Sequence, residues 1–226
     1  MTDLITRLVP NFERAQSQLV EAIFQTLQMV GGSGIISFVL GSTIGVALVV
    51  MRRGGILQNV VVYNLLDKAI NIIRSIPFLI MIILAFPLSR LIVGTAIGVR
   101  GAIVPLVIGT VPFFARQVET AVSEIDRGLI EASQAMGMSP VQIIFRVYLR
   151  ESIPSLARVT QITAINLVNL VTLAGAVGAG GLGDFAIRFG HHQRLTDLMW
   201  LTIAIILLIV SVIQTAGNIV IKKTKH

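Results

Sequence analysis

At 226 residues, with 54% hydrophobic and 13% charged side chains and a mean hydropathy of +0.87, the chain is too apolar for a soluble fold of its size and reads as an all-α integral membrane protein. A net charge of +7 in a soluble chain would point to nucleic acid; here the basic residues mostly flank apolar runs, so they orient the chain in the membrane and argue against a nucleic-acid partner. No cysteine is present, which excludes disulfides, iron–sulfur clusters and thiol chemistry.

Residues 1–21 are mixed in charge and lack a short apolar stretch with a small-residue cleavage site, so they read as an external segment and not a removable signal. A bilayer crossing needs roughly 20 apolar residues per helix, and five stretches qualify. They are residues 22–51, 60–88, 97–118, 153–177 and 198–221, followed by a basic tail at 222–226. The first ends at Arg52 and Arg53. In the second, Asn64, Asp67, Lys68, Asn71, Arg74 and Ser75 recur at helical steps and draw a polar stripe before a kink at Pro77. Two readings fit that stripe equally: the wall of a watery path, or a boundary segment whose Lys68 and Arg74 snorkel. Pro105 and Pro112 predict a bent third span.

With five spans the termini lie on opposite sides. The side of the 119–152 loop holds Arg52, Arg53, Arg116, Arg127, Arg146, Arg150, Arg158 and the terminal lysines; the other holds Arg7, Arg14, Arg90, Arg100, Arg188 and Arg194. The excess puts the loop and the C-terminus in the cytoplasm and the N-terminus outside.

Several motifs lead nowhere chemically. Gly178, Gly180 and Gly183 match G-x-G-x-x-G, but after a membrane span and not within a βαβ unit, so a tight turn with close helix packing is the reading. There is no Walker A loop, so the chain has no such means of binding ATP itself. His191 and His192 are adjacent and lack ligand spacing. Glu119, Glu124, Asp126 and Glu131 lie among arginines in a loop and read as solvated or interfacial. No catalytic, cofactor or metal constellation emerges. In the fourth span, Ile162, Asn166, Asn169 and Leu173 share one helical face, which suits a translocation path more than interhelical hydrogen bonds alone.

The informative segment is "GLIEASQAMGMSP", Gly128–Pro140, in the hydrophilic loop. Leu129, Ala132 and Met136 fall on one face, with Ser133, Ala135 and Gly137 keeping the flanks small. Gly137 suits a left-handed helix end, and Ser139 with Pro140 starts a second helix reaching about Leu149. A narrow apolar face of this kind fits a groove on another protein; a helix lying on the membrane would favour bulkier residues opposite lysines.

Glu131-Ala132-Ser133, Gly137, and the later Val147 and Leu149 resemble the EAA loop of bacterial ABC importer permeases; Arg150 departs from the proline usual there. Within that family the stretches "RSIPF", "IVGTAIG", "AIVPL" and "GAVGAGGLG" are similar to the permeases of bacterial methionine importers. The resemblance implies a type I ABC importer permease fold in the bacterial inner membrane. It implies a homodimer, two cytoplasmic ATPase subunits that hold ATP and Mg, and an external substrate-binding lipoprotein. It assigns Leu129, Glu131, Ala132, Ser133, Met136 and Gly137 to ATPase coupling. Asn166, Asn169, Leu170 and Leu173 become the path, with the two leucines as its gate. A same-family permease for another amino acid or small solute is the runner-up. A secondary transporter is disfavoured by the lack of an internal repeat, and an intramembrane enzyme by the lack of a nucleophile–base pair or metal ligands.

Overall fold

The computed structural model describes residues 9–224, and every regular element among them is helical. Helix α1 spans Phe12–Met51, α2 Val60–Ser75, α3 Phe78–Val93 and α4 Gly98–Ser123. Then come the short α5 (Arg127–Ala135), α6 (Pro140–Ile143) and α7 (Leu149–Glu151), the last two joined by a π-helical turn at Ile144–Tyr148. Helix α8 (Ile153–Ala174), the short α9 (Gly181–Phe185) and α10 (Thr196–Thr224) complete the chain. Arg7, one of the charges assigned to the outer side, and Lys225, in the basic tail, lie outside the described residues.

Four stretches, Phe12–Met51, Gly98–Ser123, Ile153–Ala179 and Thr196–Thr224, are long and apolar enough to cross a membrane; α2 and α3 together make a fifth if they count as one span. The expected kink at Pro77 is in fact a break, with α2 and α3 bent by 111°. Proline cannot donate a backbone hydrogen bond, and it pushes Ile76 into extended geometry at φ −81, ψ 122. By contrast α4 runs as one helix through Pro105 and Pro112.

Helix α1 starts ten residues before the expected span at 22. Its first turns are polar along most of their circumference, but Ala15, Leu19 and Ala22 make a buried stripe at helical spacing. Sequence hydropathy misses such a stripe because Glu13, Arg14, Gln16 and Gln18 dilute it.

The chain divides into two compact units. One takes the chain up to Ile35, Pro77–Ile108 and Ala164–Gln214. One of its cores gathers Leu19, Ala22, Leu182, Phe185 and Leu198; the other gathers Met29, Ile82, Leu106, Leu167 and Val171. The second unit takes Ile36–Ile76, Gly109–Thr163 and the chain from Thr215. Its main core joins Val46, Val49 and Val50 of α1 to Phe114, Val118 and Val122 of α4, and to Ile130, Ile143 and Tyr148 of the loop helices. Gly41 and Gly45 let α1 approach α4 there: a β-carbon at Gly45 would sit 2.6 Å from the Ala115 carbonyl oxygen. Small residues four apart are the usual means of close packing between membrane helices.

Candidate functional site

The loop helix α5 is fixed at both ends by its own residues. Asp126 is extended and caps the helix, its carboxylate accepting from the Gly128 N–H at 2.6 Å. At the other end Gly137 takes φ +78, the Gly137 N–H donates to the Gln134 carbonyl and the Met138 N–H to the Ser133 carbonyl. This paired Schellman closure needs a left-handed residue at the turn. Ser139 and Gln142 then form a reciprocal capping box that starts α6, with Pro140 at its first position. The helix beyond Pro140 is not uniform as expected but passes through the π-helical turn.

Two faces of α5 differ. Inward, Ile130 and Ser133 are buried, and the Ser133 hydroxyl donates to the Leu129 carbonyl at 2.7 Å. Outward, Leu129 is 48% and Met136 73% exposed, and Glu131, Ala132 and Gly137 are exposed too. Ser133 therefore stands apart from the other five coupling candidates: it braces the helix from within and does not face out. Beside α5 an open pocket of about 130 Å³ is lined by Arg52, Arg127, Glu131 and Tyr148 among others. Burial pushes the Tyr148 phenol up, outweighing the pull of Arg52 and Arg127, so it is a neutral hydroxyl at physiological pH.

The loop carboxylates part company. Glu124 accepts from the Ser155 hydroxyl at 2.9 Å, Asp126 caps α5, and Glu131 makes no ion pair among the described residues. Glu119 is not in the loop at all, because α4 runs on to Ser123. There it pairs at 2.6 Å with Arg116, which also reaches Asp67 at 2.6 Å and the Asn71 side-chain oxygen at 3.1 Å. The polar stripe on α2 thus serves a purpose that neither a watery path nor a boundary segment anticipates. Its Asp67 and Asn71 hold a cation from another helix, while Asn64, Lys68 and Arg74 are exposed. A charge in each of two apolar spans was the signal that could have found this pair.

On α8 the expected face is open along one side: Ile162 is 43% and Leu173 47% exposed, Asn169 is exposed and Asn166 half-buried. Leu170, at the edge of this face, is half-buried and packs against the core that holds Val171 and Leu167. The two gate candidates therefore differ in setting, one open and one held.

After α8 the glycine-rich stretch folds back tightly. A β-carbon at Gly183 would overlap the Thr172 carbonyl oxygen, and one at Gly175 would lie 2.6 Å from the Asp184 nitrogen. The close approach expected of these glycines is what the backbone uses them for. Hydropathy and motif spacing give no hint of what fastens α9: the Gly181 N–H donates to the Gln25 side-chain oxygen at 2.7 Å, and the Leu182 N–H to the Thr26 hydroxyl at 2.9 Å. Both acceptors lie 156 positions away in sequence, and no local pattern marks them.

Helices long and apolar enough to cross a membrane, with a capped loop helix braced inward and open outward, are the frame of a multi-span membrane component. Residues 37–224 match the family of binding-protein-dependent transport system inner membrane components, and the chain belongs to that family. It is 42% identical over 208 residues, 92% of each chain, to the probable D-methionine transport system permease protein MetI of Vibrio cholerae. It is 49% identical to the D-methionine transport system permease protein MetI of Escherichia coli K12, over 61% of this chain and 64% of that one. Its fold is similar to a chain of the MetNI methionine ABC transporter solved in inward-facing conformations, with TM-score 0.92, 42% identity and coverage of 95% of this chain and 99% of that one. An amino acid ABC transporter solved with histidines shares the fold, at TM-score 0.78 and 16% identity over 95% of this chain and 98% of that one.

Proposed function

We propose that this chain is the permease subunit of an ATP-driven importer that carries methionine, in its D or L form, across the bacterial inner membrane. The names borne by relatives that match almost the whole chain support the substrate. The observation that carries the mechanism is the outward face of α5, where Leu129, Ala132 and Met136 are left open on a helix closed at both ends. A separate ATPase covers that face, holds ATP and Mg, and does the hydrolysis. Two permease copies and two ATPase subunits form the transporter, and an external lipoprotein delivers substrate.

On this reading the α5 loop and the C-terminus face the cytoplasm and the N-terminus lies outside. ATPase closure pushes on α5, which is a short helix closed at both ends and moves as a piece. Helix α8 begins just beyond the loop and carries Asn166, Asn169, Leu170 and Leu173, so the push reaches the path along one helix. Leu170 and Leu173 are apolar and close the path by excluding water; Asn166 and Asn169 offer polar contacts to a solute in transit.

Uptake of labelled methionine at low concentration tests the substrate, in a strain with no other methionine importer. Deletion of this chain should abolish uptake, and normal uptake would refute methionine as the substrate. An export-dependent reporter should be active when inserted at Gln193–Leu195 and silent at the C-terminus; the reverse would overturn the orientation.

A further inference from the structure

Where α8 begins and α10 ends, the second unit forms an open pocket of about 500 Å³ lined by Arg150, Glu151, Ile153, Pro154, Lys223 and Thr224. Its place follows from the helix pairing. Gly217 lies against the Gln161 side chain, and Asn218 accepts from Gln161 at 3.2 Å. Moving back along α8 and forward along α10 from that contact brings Ile153 and Pro154 beside Lys223 and Thr224. Both helices are long and apolar enough to cross a membrane, which puts the first turn of one and the last turn of the other together at one end of the spans, where a bilayer's boundary would fall.

The pocket's charges are unspent. Arg150, Glu151 and Lys223 make no ion pair among the described residues, and all three are exposed. Two cations and one carboxylate leave a surplus of one positive charge. Apolar side chains continue from it along the spans: Ile153 is 44%, Ile219 51% and Val220 50% exposed. A ligand that fits must therefore carry one negative charge at the boundary and an apolar tail directed along the helices.

We propose that this pocket binds the headgroup of a phospholipid with one net negative charge, its phosphodiester held between Arg150 and Lys223. A guanidinium donates to two phosphate oxygens at once and an ammonium adds a compact charge, while the volume suits a small ligand. Basic pockets between membrane helices are general sites for such headgroups. Glu151 sets the selectivity: it opposes a second negative charge.

The test is native mass spectrometry of the full chain purified from membranes with any subunits that accompany it, stripped of lipid and titrated with phosphatidylglycerol or phosphatidylcholine. Wild type should favour phosphatidylglycerol. Arg150→Gln and Lys223→Gln should each weaken its binding roughly five-fold, and Glu151→Gln should strengthen it, with melting temperatures unchanged. The proposal is overturned if the double variant binds phosphatidylglycerol as wild type does, or if phosphatidylcholine binds equally well. Displacement by inorganic phosphate alone would assign the cations to a free anion and overturn the lipid. Loss of subunit assembly in the variants with lipid binding intact would assign the cations to a protein partner and overturn the lipid as well.

Discussion

Two turns in this protein depend on glycine, and for different reasons. At Gly137, between α5 and α6, φ is +78 and a β-carbon would meet nothing within 4 Å. At Gly183, in α9 where the glycine hairpin folds back on α8, the conformation is ordinary but a β-carbon would overlap the Thr172 carbonyl. The first glycine supplies a conformation and the second supplies room. The difference separates a loop whose outer face is left open from a hairpin closed by its own chain.

The largest effect on the fold should come from removing room. In Gly183→Val the clash is with backbone on α8, so no side-chain rotation relieves it, and destabilisation should reach about 3 kcal/mol. Little monodisperse protein should survive detergent extraction. Gly137→Ala loses only conformational ease, about 1–2 kcal/mol, and should extract normally with a lowered melting temperature. Equal losses in the two variants would erase the distinction. A step down lie the acceptors that fasten α9. Thr26→Val strands the buried Leu182 N–H at about 1–3 kcal/mol. Thr26→Ser restores an acceptor and should recover most of the melting temperature, whereas failure to recover would mean that the methyl group matters more than the hydroxyl.

These positions also divide what could be read from the sequence from what could not. The α5 loop was legible because its signals are local. Ser139, Pro140 and Gly137 act on neighbours within a few residues, and the Leu129–Ala132–Met136 face follows from helical spacing alone. The glycine hairpin was legible as a turn for the same reason. Gln25, Thr26 and Arg116 were not, because a polar residue in a span looks the same whether it lines a path or holds a distant backbone group. Ser133 shows the limit within the loop itself. Spacing put it beside the exposed face, and only the packing of Ile130, Ile143 and Tyr148 shows that its side of the helix is covered. The polar start of α1 was lost for a related reason, since three small buried contacts cannot outweigh its charged neighbours in hydropathy.

A third pair of substitutions separates fold from coupling. Ala132 is exposed, so Ala132→Glu should leave the melting temperature of the isolated permease near wild type. Against an apolar groove in the ATPase the same carboxylate would be desolvated without a partner, at a cost on the order of a few kcal/mol. Assembly with ATPase and transport should then fall by more than ten-fold. Gly137→Arg adds the strain of the left-handed turn and should lose both some stability and assembly. Wild-type transport by both variants would show that α5 is not the coupling element.

The smallest effect should belong to Glu131→Ala. Glu131 is exposed and makes no ion pair among the described residues, and the α5 cap belongs to Asp126. Its removal should therefore leave extraction and melting temperature unchanged. Any change in ATPase assembly can then be read as a lost contact with the partner, because nothing in the fold has moved. A charged side chain at the rim of a docking face typically affects association rate and salt dependence more than the final affinity. Assembly should accordingly weaken only a few-fold, by an amount that shrinks as salt is raised. A loss as large as that of Ala132→Glu, persisting in high salt, would instead place Glu131 at the centre of the interface and turn the apolar face into its rim.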